Sequence, residues 1–296
     1  MTLPGRLARL SWAVLFLAPP LLGADDVKVS AGDVEDQRFS DSRFGGLTIE
    51  LKLTGAAVGD VKAVRTRLKS AKDDTGSLLY KPAKDEKAAE FEEFSADRRP
   101  GPSIHLASPG RDASAVDVTA EVELFIPSRD PGTKQKFDGF LGRRDKPIAS
   151  PVLKAAKVEI TPLSPAAYKS RQQANRPTKE QIAEEGKKHG ASDEEIKQAI
   201  EMMDALASLN GEEPSAKSIL LETKDPDGRV ISVDVVKADG SELPAPSRGT
   251  SGGRDSKLVK IDLSDPPPAD AVLLVTLRTA KSIVTVPVSW KGVTLP

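Results

Sequence analysis

From Leu47 the chain alternates with a period of two: Leu47, Ile49, Leu51 and Leu53 fall on one face, and Thr48, Glu50, Lys52 and Thr54 on the other. Successive side chains of an extended strand point to opposite faces, so this pattern predicts a strand with one face in a core. It excludes a helix there, whose apolar positions would recur every three or four residues. The same period returns at Val116, Val118, Ala120, Val122 and Leu124, with Asp117, Thr119, Glu121 and Glu123 opposite. Apolar segments at 61–68 and 152–160 extend the set, separated by turn clusters such as Pro100–Pro102 and Ser128–Gly132. Residues 46–163 are therefore expected to form one antiparallel β-sandwich.

A second strand-rich region opens at Ser218. Ile219–Leu221 leads into Asp225-Pro226-Asp227-Gly228, then Val230–Val236 and Asp239-Gly240, with further runs at 258–263, 272–277 and 283–288. Asp-Gly pairs suit tight turns that need positive φ, and the flanking runs are rich in valine and isoleucine. Residues 214–296 are expected to form a C-terminal Ig-like sandwich. Between the two units, Thr178…Gln181 and Ser192…Glu195 fit the capping box, in which a hydroxyl and an amide or carboxylate three residues on satisfy the free N–H groups of a helix start. The second predicted helix carries Ile196, Ile200, Met203, Leu206 and Ala207 as its apolar stripe and stops at Asn210-Gly211; the first has Ile182 and Ala183 and ends near Gly190. The stripe is expected to pack on a sandwich. Residues 164–213 are read as a helical hairpin and linker. The fold class is thus mainly β: two antiparallel β-sandwich domains with a helical hairpin between them.

The N-terminus has its own signature. Arg6 and Arg9 precede an apolar run, Leu10–Leu22, that closes on Gly23 and Ala24. This is the pattern of a cleavable secretory signal, and the run is shorter than the roughly 20 apolar residues that cross a bilayer. Residues 1–24 are read as a signal peptide cut after Ala24, 25–45 as a flexible N-terminal segment, and the destination as the periplasm or the exterior, with no transmembrane segment in the mature protein. The chain has no cysteine, which removes disulfides, thiolate ligands and cysteine nucleophiles together. Its 43 Lys and Arg residues are interleaved with 44 Asp and Glu, leaving no concentrated positive field for nucleic acid. Aromatic residues make up 4%, so the core is aliphatic and ring-stacking recognition is disfavoured.

Candidate chemistry is sparse. Asp74-Thr75-Gly76-Ser77 matches the aspartic-protease triplet, and Phe140-Leu141-Gly142-Arg143 resembles the apolar-apolar-Gly element of retroviral-type enzymes. Yet Ser70-Ala71-Lys72-Asp73, rather than an apolar strand, precede Asp74, and the chain has no second such triplet. Only a dimer would complete the proton-sharing pair, and a polar turn is the plainer reading. Of the two histidines, His105 sits in a predicted strand and His189 at a helix end, and neither is placed beside an activated hydroxyl. Asp225, Asp227 and Asp234 offer hard oxygen donors of the kind calcium takes, without the terminal bidentate Glu of a full loop. Gly249–Arg254 is glycine-rich but lacks a phosphate-loop ending and reads as a flexible surface loop. No catalytic, cofactor or metal residue is assigned.

The turn Asp225–Arg229, the turn Ala238–Gly240 and the ending Val286-Pro287-Val288 through Leu295-Pro296 resemble exported bacterial proteins with paired Ig-like or fibronectin-like β-sandwich domains. The resemblance spans residue 46 onward and implies architecture, with no activity to carry over. The expected function is a non-catalytic protein-binding or adaptor module of the bacterial envelope with an envelope or extracellular protein partner. A structural envelope component is the alternative, and a dimeric aspartic protease using Asp74 a more distant one.

Overall fold

The computed structural model describes residues 26–37, 45–81, 89–97, 100–188, 190–209, 214–253 and 255–296. The expected signal peptide, His189, Asn210-Gly211 and Arg254 lie outside them. In chain order the strands are β1 (Lys28–Gln37), β2 (Gly46–Thr54), β3 (Ala63–Asp73), β4 (Leu78–Tyr80), β5 (Glu92–Glu93), β6 (Ser103–Leu106), β7 (Ala115–Phe125) and β8 (Lys134–Phe137), followed by helix α1 (Pro151–Ala155) and β9 (Glu159–Pro162). Helices α2 (Pro165–Ala174), α3 (Lys179–Lys188) and α4 (Asp193–Leu209) come next. The chain ends with β10 (Ser218–Lys224), β11 (Val230–Val236), β12 (Ser247–Gly252), β13 (Ser256–Asp262), β14 (Val272–Leu277) and β15 (Ile283–Thr294). The protein is mainly β, its sheets are antiparallel, and α3 and α4 form one helical hairpin.

Among the described residues the strands assemble into four sheets. Sheet A has the order β1-β2-β6, and sheet B the order β15-β7-β3-β4 with β5 also on β3. Sheet C runs β11-β14-β8 and sheet D β12-β13-β10-β9. One hydrophobic cluster unites sheets A and B: Leu47, Ile49 and Leu51 from β2 meet Val116, Val118, Val122 and Leu124 from β7, all nearly fully buried. A second unites C and D, with Ile219 and Leu221 of β10 against Val233 of β11 and Leu273 and Val275 of β14. The period-two pattern thus places its apolar face as expected. Isoleucine and valine fill both cores because their branched side chains pack well on a pleated surface.

The partners of several strands differ from expectation. Strand 283–294, expected in the C-terminal unit, pairs along its length with β7, from Ile283 opposite Phe125 to Thr294 opposite Ala115. Strand β9 pairs with β10 and β8 with β14, so both join the later strands rather than the earlier ones. The stretch from Ile126 to Ser282, carrying sheets C and D, is consequently threaded between two adjacent strands of sheet B. The two crossings are tied: the Ile126 N–H donates to the Ser282 carbonyl at 2.8 Å, and Thr279 Oγ1 donates to Asp130 Oδ2 at 2.7 Å.

Three local expectations also change. Strand β1 occupies part of the segment read as flexible, burying Val29, Ala31 and Val34 partly against the first core. The apolar run 152–160 splits into α1 and β9, because Ser150 Oγ accepts from the Leu153 N–H and Pro151 fits the first helical position. The glycine-rich stretch is edge strand β12, held to β13 by backbone pairing with every residue exposed.

Candidate functional site

The outer face of sheet B carries the most unusual chemistry in the fold. On β7 the alternation turns Glu123 away from the first core, and the residue directly across on β3 is Arg65. Such outward positions normally meet water, yet Arg65 is 5% and Glu123 8% exposed. Arg65 Nε donates to Glu123 Oε2 at 2.5 Å, its Nη2 meets the same oxygen, and Arg67 Nη2 approaches Glu123 Oε1 at 3.1 Å. The Arg65 guanidinium also lies 4.4 Å from the Phe91 ring centroid, a cation–π contact. One carboxylate thus serves two guanidiniums, and the Arg67 Nε–H, itself buried, has no partner among the described residues.

Facing this pair across a cleft are sheets C and D. The turn after β10 approaches from that side, built as the sequence suggests: Gly228 takes φ +60°, and the Asp225 carboxylate accepts from the Arg229 and Val230 N–H groups at 2.8 and 2.7 Å. Arg278, just past β14, clamps the same turn by donating to the carbonyls of Asp227 and Gly228. Burial, with Arg65 and Arg229 nearby, holds the Arg278 pKa below that of an ordinary arginine. Between the two sides lies a cleft of about 490 Å³, lined by Arg65 and Arg67 from one side and Thr223, Asp225, Arg248, Lys257 and Arg278 among those from the other. At its rim Lys257 pairs with Glu90 at 2.5 Å and Arg248 with Asp234 at 3.0 Å. Thr223, 5% exposed, is one of the residues around the cleft, and its hydroxyl is buried with no hydrogen-bond partner among the described residues.

The residues singled out from sequence lie elsewhere or serve other purposes. Asp74 Oδ2 accepts from Ser114 Oγ at 2.6 Å, and the Ser114 N–H reaches both its oxygens. The Ser114 hydroxyl, against a smaller opposing effect of burial, lowers the Asp74 pKa, opposite to what a proton-holding protease carboxyl requires. Phe140, the start of the second protease-like element, is buried in the other core. Asp73, the neighbour of Asp74 in sequence, accepts from the N–H groups of Thr75, Ser77 and Gly110 and from the Thr75 hydroxyl, closing the turn after β3. His105 is exposed on β6 between Thr48 Oγ1 and Ser103 Oγ, each 3.1 Å away.

The proposed calcium donors are engaged separately. Asp225 caps its own turn, Asp227 faces Lys157 at 3.4 Å, and Asp234 takes Arg248 and Ser232. Among the described residues no three His, Asp or Glu side chains converge as a metal site would need, and no helix is long and apolar enough to cross a membrane.

Both capping boxes form in the hairpin: Gln181 N–H reaches Thr178 Oγ1 at 3.2 Å and Ser192 N–H reaches Glu195 Oε2 at 2.8 Å. Among the described residues α3 and α4 pack chiefly on each other, rather than on a sheet as expected. Ile196 is buried against Gly186, where a Cβ would come within 2.7 Å of its Cγ1. Sequence spacing did not flag the cleft, because its cations are scattered over β3, β12, β13 and the end of β14. Comparison of the chain with protein-family models, with curated proteins and with solved structures found no match.

Proposed function

We propose that this chain is an exported, non-catalytic binding or adaptor module of the bacterial envelope, made of two antiparallel β-sandwich domains, one of which interrupts the other. The interrupted domain comprises 26–126 with 283–296, around the core shared by sheets A and B; the interrupting one comprises 127–282, around the core shared by sheets C and D, and carries the hairpin. Two separate hydrophobic clusters support this division. Export rests on the N-terminal basic, apolar and small-residue pattern.

The observation that carries the binding reading is the cleft, because both domains contribute to it and its volume of about 490 Å³ falls in the range of ligand pockets, roughly 300–1,000 Å³. The engagement of Asp73 and Asp74 in turn closure favours a non-catalytic role over proteolysis. A photo-crosslinker placed at position 248, on the rim, tests the reading in envelope fractions, with the same probe at position 69 as control. A saturable adduct at 248, competed by unlabelled protein and absent at 69, supports a binding module. Self-adducts alone would favour the structural alternative.

A further inference from the structure

We infer that the groove between α3 and α4 is a docking site for a basic amphipathic helix of a partner protein. The groove shares no residue with the cleft, so this is a second surface, beyond the reading above. The hairpin is an incomplete helical unit. None of the described α3 side chains is buried, and Ile196 is the only buried one among those described in α4. Helices in proteins draw most of their stability from packing an apolar face, and here that packing is mostly missing. A third helix laid along the pair supplies it.

The groove, of about 720 Å³, specifies the occupant through its lining. Its larger apolar residues are Ile182 from α3 and Ile196 from α4, with Ala199 exposed beside them. Met202, 66% exposed, follows Glu195 and Ala199 at helical spacing, so it lies on the same face of α4 and carries the apolar line one turn further. A flexible methionine adapts to an incoming surface. The charged lining is three carboxylates, Glu184, Glu185 and Glu195, against one cation, Lys188, which pairs with Glu184 at 3.1 Å and Glu185 at 4.0 Å. Ser192 donates to Glu195 through neutral N–H and O–H groups, so the lining keeps two negative charges in excess. Lysines or arginines beside the apolar stripe of an incoming helix complement that excess, whereas a second copy would set the same carboxylates against these. The lining covers about two turns of each helix, on the order of 10 Å, enough for anchors at i, i+3 or i+4 and i+7 of one helix.

The test is fluorescence anisotropy of labelled peptides of about five helical turns, titrated with the full chain at low ionic strength. One peptide carries leucine at i, i+3, i+4 and i+7 with lysine elsewhere; a second replaces each lysine by glutamate; a third shuffles the first so that helical spacing is lost. The expected result is saturable binding of the first and at least tenfold weaker binding of the other two. Ala199→Arg, at an exposed position, and Glu184→Lys combined with Glu185→Lys should each weaken the first at least tenfold. Glu201→Lys, a charge reversal on the opposite side of α4, should leave it within about twofold. Circular dichroism should show equal helix content in all three variants. Absence of saturable binding, equal binding of the glutamate or shuffled peptide, or indifference to either groove variant overturns the inference. So does a dimer of the full chain in sedimentation that Ala199→Arg abolishes, since the occupant is then a second copy. Crosslinking from position 248 probes the cleft, so its outcome is independent of this one.

Discussion

At the scale of single residues, two buried carboxylates carry the sharpest consequences. Burial alone would raise the Asp73 pKa, but its bonds from Gly110, Thr75 and Ser77 outweigh that and hold the carboxyl below its ordinary value. A depressed folded-state pKa stabilises above the unfolded value near 3.8 and is lost as pH falls through the lower folded one. Asp73→Ala should therefore destabilise by about 2 kcal/mol at pH 7, and the gap to wild type should narrow in urea melts taken near pH 3. Glu123 behaves differently because its partners are cations. Glu123→Gln leaves Arg65 buried beside a neutral amide and should cost about 3 kcal/mol, whereas Arg65→Met combined with Glu123→Leu should recover most of that loss in chemical denaturation. Recovery fails to appear if the pair contributes net stability beyond packing.

At the scale of elements, the hairpin draws little support from the sheets, so its caps matter more than usual. Ser192→Ala removes an acceptor from the first turn of α4 and should cost that helix about 1 kcal/mol. Hydrogen exchange should rise across α3 and α4 while β7 and β10 keep their protection, and an equal rise in the sheets would mean that the hairpin is coupled to the cores.

The elements also show what was legible in the sequence. Strands β2 and β7 and both capping boxes could be read from spacing because their signals are local: a period of two, or a hydroxyl three residues before an amide or carboxylate. Strand β12 left no such trace, since it buries no side chain and exists through backbone pairing with β13. The alternation of β7 separates its two faces, but it cannot tell an outward face in water from one covered by another layer. Glu123 and the cleft therefore escaped notice.

At the scale of the molecule, the pairing of β7 with β15 joins residues far apart in sequence, a non-local contact that no window reading detects. Removing 283–296 should strip β7 of its neighbour and take Val284, Val288 and Leu295 out of the first core. The expected outcome is loss of exchange protection in sheets A and B and concentration-dependent aggregation through the bared strand, with sheets C and D still protected. Uniform unfolding of all four sheets would show instead that the two cores form one cooperative unit.

The insertion of residues 127–282 in sequence between β7 and β15 also dictates a timetable. A ribosome makes β15 after everything else in this fold, so sheets A and B wait without their final strand while sheets C and D already have every residue they need. The interval is a vulnerable one: β7, ten residues of which later pair with β15, offers an open edge to any neighbouring nascent chain. The tie between Asp130 and Thr279 brings the two ends of the inserted stretch together, so early folding of that stretch would deliver β15 to its slot and shorten the wait.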